Sequence, residues 1–117
     1  MSILAGVLVA FVALSHMGFL VLEMFYWDHP VGRKVFRMSP EQSAMSKVLA
    51  ANQGLYNGFL AAGLFWGQFS SQPQVTLFFL GCVVVAGIYG ALTVKKTIFF
   101  TQGMPALLAS AAVLLAG

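Results

Sequence analysis

Charge is the scarcest property of this sequence. Among its 117 residues, Asp and Glu together number three and Lys and Arg six, so charged side chains make up 8% and apolar ones 60%. Soluble domains carry about 25% charged residues, whereas the mean hydropathy here is strongly apolar, at +0.90. Apolar runs of about 20 residues, the length that crosses a bilayer, can be placed repeatedly along the chain. We therefore predict an integral membrane protein and exclude an ordinary soluble domain.

Cysteine is almost absent. Cys82 is the only one, which excludes an intrachain disulfide and cysteine-based zinc or iron–sulfur sites. We predict no metal and no cofactor. The net charge of +3 does not indicate nucleic-acid binding, because the basic residues fall in short segments between apolar runs. The N-terminus lacks the basic region of a signal peptide, so its first apolar run is interpreted as a retained transmembrane helix.

The apolar runs predict an all-α, polytopic membrane protein with four transmembrane helices in an up-and-down bundle. The helices are expected over residues 3–27, 39–69, 75–94 and 97–116. Together they form one domain, 1–117. Ser39 and Gln42 flank Pro40 in the pattern of a capping box, which predicts the start of the second helix outside the bilayer. Pro105 is expected to bend the fourth helix.

The basic residues also predict the orientation. Every Lys and Arg lies in the first or the third connection: Arg33, Lys34, Arg37, Lys47, Lys95 and Lys96. The positive-inside rule puts those connections in the cytoplasm. Both termini are therefore expected on the outer side of the membrane.

Polar side chains within the apolar runs need a reason, because hydrocarbon makes each of them unfavourable. The candidate ligand-binding residues are His16, Glu23, Asn52, Gln53, Asn57, Tyr89 and Gln102. Counting about 1.5 Å per residue from the expected boundaries puts most of them roughly 6 to 9 Å below the cytoplasmic surface, with His16 and Asn57 nearer the midplane at about 15 Å. Because all four helices contribute, we predict a shared polar cavity that opens toward the cytoplasm.

Each of these residues also has a structural interpretation. Glu23 is a candidate partner of an ion, a proton or a substrate, but it lies near the interface and can instead reach water or pair with Arg33 or Lys47. His16 is a candidate proton relay or metal or haem ligand, and equally a donor to Asn57 or to a backbone carbonyl. Amide side chains can orient a ligand, and they also join helices by hydrogen bonds.

Small residues spaced four apart predict close helix packing on the second helix, where Gly54 pairs with Gly58 and Gly63 pairs with Gly67. This spacing lets two helix backbones approach each other. The pattern leaves open whether the partner helix belongs to the same subunit or to a second copy, so a homo-oligomer is one expected assembly.

Five segments together carry a resemblance to a known family. They are Leu22-Glu23-Met24-Phe25, Gly32-Arg33-Lys34-Val35-Phe36, Ala51-Asn52-Gln53-Gly54-Leu55-Tyr56-Asn57-Gly58, Gly87-Ile88-Tyr89-Gly90 and Gln102-Gly103-Met104-Pro105. With them the chain resembles the bacterial family of small four-helix membrane proteins catalogued as domain of unknown function 1304. The resemblance spans nearly the whole chain and implies a four-helix integral protein of the bacterial inner (cytoplasmic) membrane. It supplies no substrate, cofactor or catalytic residue.

Three functions fit these observations. The first is binding or transport of a small molecule or ion, with Glu23 and the amide side chains of Asn52, Gln53 and Asn57 lining the cavity. Small multidrug exporters have a similar length and an acidic residue in the first helix, but the one-sided distribution of Lys and Arg argues against their inverted dimers.

The second function is an intramembrane enzyme that acts on a lipid or quinone-like amphiphile, with Glu23 and His16 as acid and base. The sequence has no nucleophile with a positioned base and no phosphate loop, which makes catalysis the weaker interpretation. The third is a structural or accessory subunit whose polar layer only specifies packing. The expected partners are the lipid bilayer, a small ligand and a second copy of the chain.

Overall fold

The computed structural model describes residues 2–116 and is all-helical, as the sequence predicts, with no strand among those residues. Its elements in chain order are α1 (Ile3–Phe25), α2 (Pro30–Phe36), α3 (Pro40–Phe69), α4 (Pro73–Thr93), a π-helical turn (Phe99–Gly103) and α5 (Met104–Ala116).

Three helical segments are long and apolar enough to cross a membrane: Ile3–Phe25, Pro73–Thr93 and Phe99–Ala116. This composition is that of a multi-pass membrane protein. The 30-residue α3 is not among them, because its amide side chains at Asn52, Gln53 and Asn57 lower its hydropathy. The four-span arrangement, the orientation of the termini and the single-domain organisation therefore remain predictions.

The first connection contains a short helix where the sequence analysis expected only a break. The α1 helix ends at Phe25, two residues before the expected end, and α2 begins with Pro30 at its first position. Proline suits that position because its missing N–H would have no helical acceptor. The side chain of His29 caps the helix, since its Nδ1 accepts a hydrogen bond from the Val31 N–H at 3.2 Å. Gly32 is buried against the backbone carbonyl oxygens of Tyr26 and Trp27, where a Cβ has no space.

The capping box at the start of α3 is confirmed. The Ser39 N–H donates to Oε1 of Gln42 at 2.9 Å, and the Gln42 N–H donates to Oγ of Ser39 at 3.1 Å. These reciprocal bonds satisfy backbone donors that the first helical turn leaves without partners. They fix the point at which the chain turns from α2 into α3.

A π-helical turn, Phe99–Gly103, ends two residues before Pro105, where the sequence predicts a bend. The Met104 N–H donates to the carbonyl of Phe99, five residues earlier. Proline has no N–H, and its ring collides with the carbonyl four residues earlier, which here belongs to Thr101. The wider turn relieves that collision, so the helix continues to Ala116.

The chain forms two compact units. The first comprises residues 2–14 and 60–116, and its apolar core contains Ala5, Val9, Val12, Ala13, Leu64, Leu80, Val83, Ala106, Ala109 and Val113. Glycines allow close contacts here: a Cβ added to Gly63 would lie 2.5 Å from the ring of Phe79. The second unit comprises residues 15–59, which are the C-terminal half of α1, all of α2 and the N-terminal part of α3.

Candidate functional site

A carboxylate and an amide from two helices meet in the second unit. The side-chain Nδ2 of Asn57 on α3 donates a hydrogen bond to Oε1 of Glu23 on α1. Asn57 is buried, with 6% of its surface exposed, and Glu23 is half-buried. Two of the predicted site residues are therefore brought together directly.

Glycines on α3 explain why the two helices approach so closely. A Cβ added to Gly54 would lie 2.7 Å from Cγ of Met24 and 3.3 Å from the carbonyl oxygen of Leu20. One turn further on, a Cβ at Gly58 would lie 2.6 Å from Cδ1 of Leu20. The Gly54–Gly58 face predicted for helix packing therefore lies against α1 of the same chain. This contact sets the helix register that places Asn57 beside Glu23.

His16 is buried two turns before Glu23 on α1, with 2% of its surface exposed. Its ring contacts the ring of Phe19 edge to face, with centroids 5.2 Å apart. Among residues 2–116, the structure forms no group of three or more His, Cys, Asp and Glu side chains that could hold a metal ion.

The remaining predicted site residues lie elsewhere. Asn52 and Gln53 are exposed on α3. Gln102 is partly buried within the π-helical turn, and Tyr89 is 69% exposed on α4. Tyr89 belongs to an open apolar groove whose lining residues are Leu77, Phe78, Gly81, Cys82, Val85, Ala86 and Tyr89. The structure thus connects Glu23 with Asn57, and the convergence of all seven residues in one cavity stays a prediction.

A second polar cluster, which the sequence analysis missed, joins the end of α1 to α2 and α3. Oδ1 of Asp28 accepts a hydrogen bond from the Ser43 hydroxyl at 2.6 Å and another from Nη1 of Arg33 at 2.9 Å. Nε1–H of Trp27 donates to Oγ of Ser46 at 3.0 Å. Ser43 is completely buried. One feature of the sequence could have predicted this cluster. Ser43 and Ser46 are three residues apart, so both hydroxyls lie on one face of the first turns of α3.

The Ser43 hydroxyl holds the pKa of the Asp28 carboxyl below its ordinary value, and the positive charges of Arg33 and Lys47 lower it further. Because the folded-state pKa is below the unfolded one, this contribution to stability is fully present above the unfolded pKa of about 3.9 and is lost as pH falls through the folded value. Asp28 therefore fixes the α1–α2–α3 connection at neutral pH.

Replacing this carboxylate gives a testable change in acid stability. The wild-type midpoint of thermal unfolding in lipid nanodiscs should fall as the pH drops below about 4, whereas Asp28→Asn should have a lower midpoint at neutral pH and a flatter pH profile. Intrinsic tryptophan fluorescence measures both. Glu41→Gln, at an exposed carboxylate in the first turn of α3, is the matched control and should keep the wild-type profile. Identical acid profiles for Asp28→Asn and the wild type would contradict this role.

Comparison with known proteins agrees with the resemblance noted in the sequence. A family model described as "Protein of unknown function (DUF1304)" matches residues 10–114. The "Uncharacterized protein YpaA" of Lactococcus lactis subsp. lactis (strain IL1403) is 36% identical over 113 residues, which cover 93% of this chain and 95% of that protein. No solved structure matches the chain. Since the family model covers nearly the whole chain, the protein belongs to the DUF1304 family.

Proposed function

We propose that this protein is a multi-pass protein of the bacterial cytoplasmic membrane that binds a small cation at Glu23, as a step in its transport. The observation that carries the proposal is that Glu23 pairs with an uncharged side chain. Its carboxylate is held by the neutral amide of Asn57, in a helix with the length and composition of a membrane span.

The charge of the site favours a cation. Among residues 2–116, no Lys or Arg forms an ion pair with Glu23, and Arg33 is engaged by Asp28 instead. A carboxylate in an apolar setting is unfavourable unless a positive charge or a proton accompanies it. A bound cation or proton supplies that partner.

The geometry supports binding better than catalysis. An amide neither accepts nor releases a proton near neutral pH, so Asn57 orients the carboxylate and is no partner in acid–base chemistry. The hydrogen bond engages Oε1 of Glu23 and leaves its other oxygen available to a ligand. Such a pair is suited to coordinating a ligand that enters and leaves.

The first test is native mass spectrometry of the protein released from lipid nanodiscs, with tetramethylammonium as an added probe of cation binding. The wild type should retain a discrete extra mass, either a copurified cation or the probe, and Glu23→Gln should lose it. Glu41→Gln removes the same charge at an exposed position and should retain the mass. Equal occupancy in Glu23→Gln and the wild type would contradict the assignment of the site to Glu23.

The same variants distinguish binding from a packing role. If Glu23 serves packing alone, the wild type carries no extra mass, and Glu23→Gln differs from it only by a small shift of the thermal unfolding midpoint. If Glu23 is the binding site, Glu23→Gln loses the ligand while its amide still pairs with Asn57 and the fold persists.

A further inference from the structure

The α2 helix presents a mixed surface of apolar and basic side chains. Val31 and Val35, one turn apart, are 49% and 53% exposed. Lys34 and Arg37 are exposed beside them. The opposite side of the helix is occupied, because Gly32 packs on the carbonyl groups of Tyr26 and Trp27, and the ring of Phe36 packs on Trp27 at a centroid distance of 4.8 Å. We call the four residues Val31, Lys34, Val35 and Arg37 the α2 surface.

Arg37 occupies a backbone position at which glycine is the usual residue. It ends α2 in the left-handed conformation, with φ 53° and ψ 54°. The N–H of Arg37 donates to the carbonyl of Arg33, and so does the N–H of Met38 at 2.9 Å. Side chains with a Cβ are disfavoured in this conformation, whereas glycine adopts it freely. Arg37 therefore adopts a backbone conformation that would be more favourable for glycine.

Among residues 2–116, Lys34 and Arg37 form no ion pair. Arg33 is paired with Asp28. Lys34, Arg37 and Lys47 are also exposed, and the two exposed carboxylates of this region, Asp28 and Glu41, leave its net charge positive. The surface is therefore complementary to an anion.

The position of α2 in the chain indicates what that anion is. The α1 span ends at Phe25 and α2 begins five residues later, at Pro30. A helix tethered so closely to a span lies at the level of the lipid headgroups. Exposed valines beside basic side chains suit this layer, since the valines reach the acyl boundary while Lys and Arg extend to the phosphates.

We propose that the α2 surface binds anionic phospholipid headgroups, with Lys34 and Arg37 contacting the phosphate and Val31 and Val35 inserted beside it. The planar guanidinium of Arg37 can donate two parallel hydrogen bonds to phosphate oxygens. This surface is separate from the Glu23–Asn57 pair.

The test compares two double variants with the same loss of charge. Delipidated protein in detergent is titrated with phosphatidylglycerol or phosphatidylcholine, and bound lipids are counted by native mass spectrometry. Lys34→Gln/Arg37→Gln should lower the affinity for phosphatidylglycerol relative to phosphatidylcholine roughly 25-fold. This is the loss expected when two basic side chains that contact anionic headgroups are removed. Lys95→Gln/Lys96→Gln, at the exposed third connection, should change this preference less than about twofold. Equal losses in both variants would overturn the proposal, because they would show a dependence on net charge alone.

A single substitution separates binding from folding. Arg37→Gly relieves the left-handed backbone, so it should raise the thermal unfolding midpoint while reducing phosphatidylglycerol preference about fivefold. An unchanged preference in Arg37→Gly would refute the role of the guanidinium. Inorganic phosphate should not displace the lipid, because it lacks acyl chains for the valines. Displacement by millimolar phosphate would assign the surface to free anions and overturn the lipid proposal.

Discussion

Gly87→Ala is expected to destabilise the protein by about 3 kcal/mol, the upper part of the range for overpacking. A Cβ at Gly87 would lie 2.6 Å from the backbone N and 2.8 Å from Cα of Gly103. Both atoms belong to the π-helical turn, so the collision cannot be relieved by a side-chain rotation. The α4 helix and the turn would have to separate along their contact.

Gly81→Ala is the matched control for this effect. It lies on the same helix, and nothing lies within 4 Å of the Cβ it would add. It should be neutral or stabilising by up to about 1 kcal/mol, because alanine is the better helix former. Unfolding by SDS titration in mixed micelles, followed by circular dichroism, measures both variants. Equal stability of the two would show that α4 and the turn are not packed as described.

Asn57→Leu has the second large expected effect, a loss of about 2 to 3 kcal/mol of unfolding free energy. The substitution removes the donor to Glu23 and leaves a partly buried carboxylate without its hydrogen bond, which is more destabilising than the bond itself is stabilising. Glu23→Gln should lower stability by less than about 1 kcal/mol, since the new amide can still accept a hydrogen bond from Asn57.

A double-mutant cycle identifies the pair as the cause. Glu23→Leu/Asn57→Leu removes both polar groups and should be more stable than Asn57→Leu alone, because replacing both partners of a buried pair by apolar groups restores much of the loss. The same SDS titration provides the four free energies. Strict additivity of the two single substitutions would contradict a direct Glu23–Asn57 interaction.

A local backbone signal in the sequence predicted the start of α3. The Ser39–Gln42 capping box was visible because both side chains bond to backbone groups within one turn. The α2 helix was not predicted, although Pro30 stands at its first position and His29 caps it. Glycine disfavours a helix, but the missing Cβ of Gly32 is what allows α2 to lie against the carbonyls of Tyr26 and Trp27.

The candidate site was predicted by residue type and not by geometry. Glu23 and Asn57 were both selected because polar groups are unfavourable in apolar helices. Counting from Trp27 and Lys47 placed Asn57 deeper than Glu23, and the structure nevertheless joins them. The register comes from glycine contacts, with Gly58 against Leu20 and Gly54 against Met24, and these depend on tertiary packing that periodicity does not contain.

The composition of the chain makes a direct measurement of Glu23 possible. Glu23 and Glu41 are the only glutamates, so carboxyl-¹³C glutamate labels two positions, and Glu41→Gln leaves Glu23 as the sole signal. Solid-state NMR in lipid bilayers then follows this carboxylate while Na⁺ or tetramethylammonium is added at constant pH. We expect a saturable shift of the Glu23 signal with at least one of these cations, and a weaker response in Asn57→Leu. A Glu23 signal that stays unchanged with every cation, while the fold still depends on the Asn57 hydrogen bond, would show that the pair serves packing and contradict cation binding.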